Sequence, residues 1–328
     1  MHPTLTTVGP WTLIHLPAVL AVFLAVVLLW TYLERRADGQ GLTLTGGLIG
    51  QLLLEAAIPA VLTYLLINRV GPLQVRSYGV MMLAGFVACA TWMYRERGRY
   101  GLDGRTVLQL ALVGFAGGII GARVGSVLLS WREYLADPVQ ALNLWRGGMA
   151  WHGGVIGGVL AVVIVGALMR VSVGRVFDLG APGMVLAYAI ARIGCFLNGC
   201  CHGHPTDLPW AVTFPHTGSL PGPPVPVHPT QLYALTGSLL FVLPLVLLMT
   251  RWLHRSFSRF MIFLILSSVL RFAVEFARRG ATADPFALIP ALTQAQAASI
   301  VIIVVCGVAI VVRERQPRAV SPAPDDRS

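Results

Sequence analysis

Charge is scarce in this chain, and lysine is missing altogether. Charged residues make up 12% of the 328 positions, and all 24 basic side chains are arginine. Soluble domains carry about 25% charged residues. That shortfall, beside 56% hydrophobic residues, argues against a soluble globular fold. Also absent is any strand-like run ahead of the glycine-rich stretches "GFAGGIIGARVGSVL" (114–128) and "WHGGVIGGVL" (151–160). Without one, neither a dinucleotide fingerprint nor a phosphate-binding loop can be read into them. Small residues at helical spacing instead let membrane helices approach closely. The first apolar run has no basic leader, outlasts a signal-peptide core and ends in "ERR" (34–36). It reads as a retained helix.

What is present is a series of long apolar runs. About 20 such residues cross a hydrocarbon core of about 30 Å. Nine runs reach that length: 11–32, 46–67, 76–94, 106–130, 150–169, 178–199, 229–250, 258–277 and 295–312. The expected fold is all-α, a polytopic membrane protein of about nine transmembrane helices. Residues 313–328, charged and Pro-rich, are expected to form a disordered tail.

A net charge of +10 could suggest a nucleic-acid partner, but its distribution argues otherwise. With the N-terminus outside and the spans alternating, the inward loops and tail hold 15 arginines and the outward loops six. The loop 200–228 holds none. This is the positive-inside bias, and it needs no acidic partner. The remaining arginines, Arg123, Arg192 and Arg271, fall within spans, where each costs on the order of 3 kcal/mol on insertion scales. The alternating topology puts all three in the outer half of the bilayer. Tyr78, His152, Asn198, His228, Tyr233 and Glu275 lie at span ends on the same side. A shared, outward-facing polar cavity is the economical reading, with separate snorkelling of each side chain as the alternative. Glu275 follows Arg271 by one helical turn and shares its face. Glu55, a lone carboxylate in the second run, receives no assignment.

Several stretches, taken in order, resemble the prolipoprotein diacylglyceryl transferase family. "VGPLQVRSYGVMMLAGF", "GGIIGARVGSVL", "GGMAWHGGVIGG", "ARIGCFLNG", "HPTQLYAL", "RFAVEFAR" and "LTQAQAASI" carry the resemblance from about residue 70 to 312. It implies a seven-span core over 68–312, two additional N-terminal helices in 1–67 and the tail 313–328. The implied reaction moves a diacylglyceryl group from phosphatidylglycerol to the lipobox cysteine thiol of a prolipoprotein and releases glycerol phosphate, without a cofactor. It further implies His152 as base or thiol-orienting group, and Arg192 and Arg271 as phosphate-binding catalytic residues. Tyr78, Asn198, Gly203, Tyr233 and Glu275 would shape the substrate site, with Arg123 assisting. The bacterial inner membrane is the implied location, with the site facing the outer leaflet and the C-terminus in the cytoplasm.

One segment departs from the family pattern. Cys195 stands where the signature has Asn, Cys200 where it has Glu, and "CCHG" replaces Glu-Leu-Trp-Gly. Cys195, Cys200, Cys201, His202 and His204 admit three readings: inert or disulfide-bonded residues, metal ligands in a spacing that matches no standard site, or functional thiols. A divergent relative with another acceptor, or a non-catalytic metal-binding or thiol-sensing membrane protein, are the competing functions. Cys89 and Cys306 read as packing residues, and the glycines of 194–203 predict a sharp turn at the membrane edge.

Overall fold

The computed structural model describes residues 4–8, 57, 73–136, 141, 150–214, 224–249, 252–253, 255–278, 285–286 and 289–315. The run 11–32 lies outside these residues, as does 46–67 apart from residue 57; Glu55 is outside them too. The other seven runs coincide with helices. These are α1 (Ser77–Glu96), α2 (Gly104–Leu129), α4 (Trp151–Leu168), α5 (Val173–Asn198), α6 (Thr230–Met249), α7 (Ser258–Glu275) and α8 (Gln294–Arg315). A short α3 (Trp131–Ala136) follows α2. Among the described residues five helices are long and apolar enough to cross a membrane: α1 with its 3-10 extension, α2, α5, α6 and α8. α4 is shorter, and α7 carries Arg259, Arg271 and Glu275.

The fold is that of a helical membrane protein, and the links between helices carry short antiparallel ladders that pair β1 (Thr4–Val8) with β2 (Leu73–Arg76), β3 (Val212–Thr213) with β4 (Pro226–Val227), and β5 (Pro285–Phe286) with β6 (Ile289–Thr293). Backbone polar groups between helices must find partners, and these ladders supply some. α8 continues to Arg315, and residues 316–328 lie outside the described residues.

Glycine sets the closest helix contact. α2 and α4 run antiparallel with Gly117, Gly121 and Gly125 facing Gly157 and Gly153; a Cβ on Gly121 would lie 2.7 Å from the Gly157 Cα. Backbones therefore touch where side chains would otherwise separate them. α1 packs antiparallel on α5 in the same manner, with Gly85 against the Ala187 carbonyl and Gly183 against Cys89. Around these contacts lie two apolar clusters, one built on Met93, Val107, Leu110, Val176 and Leu179, the other on Val185, Val242, Val246 and Ile262. Large apolar residues such as Leu128, Leu168, Leu240 and Val301 face outward, as a hydrocarbon solvent requires.

Helix ends explain most of the remaining order. Asp103 caps α2, accepting from the Thr106 backbone N–H at 2.7 Å and hydroxyl at 2.6 Å. Asp178, buried in α5, accepts from the free N–H groups of Phe257 (2.5 Å) and Phe260 (2.8 Å) where α7 begins. At the same end Ser258 Oγ donates to Glu314 at 3.0 Å and Arg313 to the Ser256 carbonyl at 3.0 Å. In α6 the turn Ser238–Val242 widens to π geometry just before Pro244. Proline has no N–H and crowds the carbonyl four residues back, and the wider turn accommodates both effects.

Candidate functional site

The antiparallel order has a simple consequence. The start of α1, the end of α2, the start of α4, the end of α5, the start of α6, the end of α7 and the start of α8 all lie at one end of the bundle. Tyr78, Arg123, His152, Arg192, Asn198, Tyr233, Arg271 and Glu275 occupy those turns. The site is a set of helix ends.

Its centre is built from α5 and α7. The Arg192 guanidinium lies 4.5 Å from the centre of the Tyr188 ring, one turn earlier on α5, and Nη1 is 3.9 Å from Cys195 Sγ. Arg271 pairs with Glu275, whose carboxylate is fully buried. Thr293, just before α8, donates its hydroxyl to the other Glu275 oxygen at 3.4 Å. Tyr188 is within electrostatic range of both Arg192 and Arg271, and Arg192 stacks on its ring. A stacked or ion-paired guanidinium is held in direction, and its planar fork matches the geometry of an anion.

The segment after α5 wraps this centre. Gly199 (φ 71°) ends the helix in the left-handed conformation, its N–H bonding the Phe196 carbonyl at 3.1 Å and that of Cys200 the Cys195 carbonyl at 3.1 Å. Cys201 is also left-handed, at φ 61°, which costs a non-glycine residue about 1–2 kcal/mol. The turn is held from α6: Gln231 Nε2 donates to the Cys200 carbonyl and Thr230 Oγ1 to the Cys201 carbonyl, each at 2.6 Å. Gly203 then threads between α6 and the end of α7, its N–H on the His228 carbonyl at 2.8 Å, with His204 N–H on the Ala277 carbonyl at 3.0 Å. A Cβ at Gly203 would collide with the Ala277 oxygen and lie 2.7 Å from His228 Cβ. Only glycine fits.

All five cysteines in the chain are free thiols, so no disulfide joins them. The Sγ atoms of Cys195, Cys200 and Cys201 lie within 4.8 Å of one another. Donation from the Cys195 and Cys200 thiols holds the Cys201 thiol below its ordinary range against the effect of burial, with Arg278 and Arg192 adding to the shift. For Cys200, the Cys195 bond lowers the pKa, but the bond with Cys201 and burial outweigh it and the thiol is raised. Tyr78, in the first turn of α1, lies with its backbone close to Gly194 of α5. His202 is turned elsewhere: its ring is buried, with Nδ1 3.1 Å from the Gly203 oxygen, and stacks on Phe214. His204 is exposed.

The other expected residues lie further out. Tyr233 Oη accepts from Trp210 Nε1 at 2.8 Å and sits 3.1 Å from His228 Nδ1, forming a polar strip beside α6. Asn198 is the last residue of α5. His152 is exposed on the first turn of α4, whose packing partner is α2 rather than α5. Arg123 is buried, donates from Nε to the Ala141 carbonyl at 2.8 Å and lies 5.2 Å from the Tyr134 ring. These contacts tie the corner between α2 and the following loop.

Sequence reasoning missed Arg278, Tyr188 and Gln231. Arg278 bridges to Gly203 through the backbone and is close enough to Arg271 for their charges to repel; its Nε is buried without a hydrogen-bond partner. Arg278 lies just past the end of α7 at Glu275, where an arginine reads as a loop residue.

The family model for prolipoprotein diacylglyceryl transferase matches residues 65–312. Proteins named phosphatidylglycerol–prolipoprotein diacylglyceryl transferase are similar to this chain. The Aeromonas salmonicida protein is 39% identical over 215 residues, covering 64% of this chain and 75% of its own. That of Cupriavidus necator is 38% identical over 226 residues, 64% and 78% respectively. A Coxiella burnetii relative is 34% identical over 247 residues, 74% of this chain and 92% of its own. Matches of that extent, spanning every helix that contributes to the end described above, make this chain a member of the prolipoprotein diacylglyceryl transferase family.

Proposed function

We propose that this chain transfers the diacylglyceryl group of phosphatidylglycerol to the lipobox cysteine thiol of a prolipoprotein, with release of glycerol phosphate. The observation that carries the reading is that Arg192, stacked on Tyr188, and Arg271, paired with buried Glu275, lie at one end of an apolar bundle, where an anionic headgroup meets its tails. In the reaction the thiol sulfur attacks the glyceryl carbon. A C–S bond forms, the C–O bond to phosphate breaks, and the thiol proton passes to a base. Free thiols have a pKa near about 8.5 and are mostly protonated at neutral pH, so a base is required; imidazole is suited to that role. His152 is assigned to it, as base or as the group that orients the thiol. Arg192 and Arg271 bind the phosphate and stabilise the charge that develops on the departing oxygen. Tyr78, Asn198, Gly203, Tyr233 and Glu275 shape the site. Glu275 acts through Arg271, and Arg123 has a lesser part.

In this reading the site faces the outer leaflet of the bacterial inner membrane, where precursors emerge after translocation, and the C-terminus is cytoplasmic. Nine spans would comprise the core and two helices within 1–67. The test is rescue of a strain depleted of its own transferase, paired with transfer of labelled glycerol to a lipobox peptide in vitro. Wild type should support growth and labelling, and His152→Ala should abolish both. Failure of wild type in both assays refutes the activity; full labelling by His152→Ala removes that residue from the mechanism.

A further inference from the structure

We propose that Cys195, Cys200 and Cys201 form a binding site for a thiophilic d10 cation, Zn2+ or Cu+, at the end of α5. Their sulfurs already lie within 4.8 Å of one another. A Zn–S bond of about 2.3 Å places two thiolates of a tetrahedral centre about 3.8 Å apart, so closure needs shifts of no more than about 1 Å, within the reach of side-chain torsion. Neighbouring cysteines would ordinarily point to opposite sides of an extended chain. Here the left-handed conformation of Cys201 turns its thiol back beside Cys200 and Cys195. A strained backbone held by its surroundings marks functional geometry, and the hold is explicit, since Gln231 and Thr230 clamp the carbonyls of both vicinal cysteines.

Charge and polarity agree with a cation at this spot. Binding requires all three cysteines as thiolates and releases to solvent whatever protons they still hold, and three thiolates around a mono- or divalent cation leave net negative charge. Arg192 lies 3.9 Å from the Cys195 sulfur, and the Arg278 charge reaches Cys201. Both arginines offset the excess. Gln231 is 1% exposed, and its Nε2 is committed to the Cys200 carbonyl, which fixes the amide orientation. Its Oε1 is therefore a buried acceptor without a partner. Three soft ligands and one open position suit Zn2+ with a water, or three-coordinate Cu+ without one. The site does not depend on the transferase reading, because occupancy is measured without turnover.

The test uses the full chain, purified in detergent, reduced and anaerobic, with Zn2+ and Cu+ offered in separate arms against a competing chelator. Stoichiometric retention in either arm supports the site and identifies the cation. Co2+ in place of Zn2+ should give a thiolate-to-metal charge-transfer band, which reports sulfur ligation without any substitution. Cys200→Ser and Cys201→Ser should each weaken retention at least about tenfold, while the distant Cys306→Ser should leave it unchanged. Trace retention in both arms, or equal retention by the Cys200→Ser/Cys201→Ser double variant, overturns the proposal. Absence of the Co2+ band at full occupancy overturns it as well.

Discussion

At the residue scale, the sequence exposed what is costly and concealed what is neutral. Arg192, Arg271 and Glu275 could be picked out because ionised groups within apolar runs demand partners. Tyr188 and Gln231 carry no such penalty, and nothing in their neighbourhood marked them. Arg278 looked like a loop residue because α7 ends at Glu275. The convergence of three thiols was also illegible, since it depends on a left-handed Cys201 that no pattern of residue types announces. The paired-arginine site makes a firm demand. Arg192→Lys and Arg271→Lys should each lower kcat/KM by about 10- to 100-fold, because lysine keeps the charge but loses the two-pronged donor. Measured transfer rates equal to wild type in both variants would remove the arginines from the phosphate site.

At the element scale, helix positions were readable from hydropathy, and one start, that of α5, was not. α5 begins at Val173 rather than near 178. Arg175 and Asp178 break the apolar run, yet Asp178 is satisfied by the first N–H groups of α7 and stays helical. The short ladders span too few residues for alternation to show. Two predictions belong here. Gly121→Val should destabilise the α2–α4 pair by about 1–3 kcal/mol, as overpacking does, and should lower the melting temperature in detergent; Gly79→Ala, with open space around it, should be far milder. The second concerns the α2 cap. Partial burial raises the Asp103 pKa, but bonds from the Thr106 hydroxyl and backbone outweigh this and hold it below the ordinary carboxylate value. Its folded pKa is therefore below the unfolded value of about 3.9. The stabilisation is present above that value and is lost as pH falls through the folded pKa. Asp103→Ala should cost about 1 kcal/mol at neutral pH, and the gap from wild type should narrow in melts below the ordinary carboxylate pKa.

At the scale of the whole molecule, the two ends of the bundle differ in kind. One gathers the candidate site. The other collects Arg95, Arg97, Arg99, Arg105, Arg170, Arg175, Arg255, Arg259, Arg313 and Arg315, as the connectivity of the helices requires. Under the positive-inside rule, the proposed orientation puts the arginine-rich end in the cytoplasm. A fluorescent protein fused after Ser328 should therefore glow, and a periplasm-dependent phosphatase at the same position should stay inactive. The reverse outcome would invert the orientation and strand the site on the wrong side. This much of the architecture was legible, because alternation and arginine counting use only the order of the runs. The depth of individual side chains was not, because it depends on which helices meet.

The glycine seam between α2 and α4 has one more consequence. With main chain pressed on main chain along that flank, no crevice remains there to admit an acyl tail. In the proposed reaction, a lipid moving sideways toward Arg192 therefore has to pass between other helices.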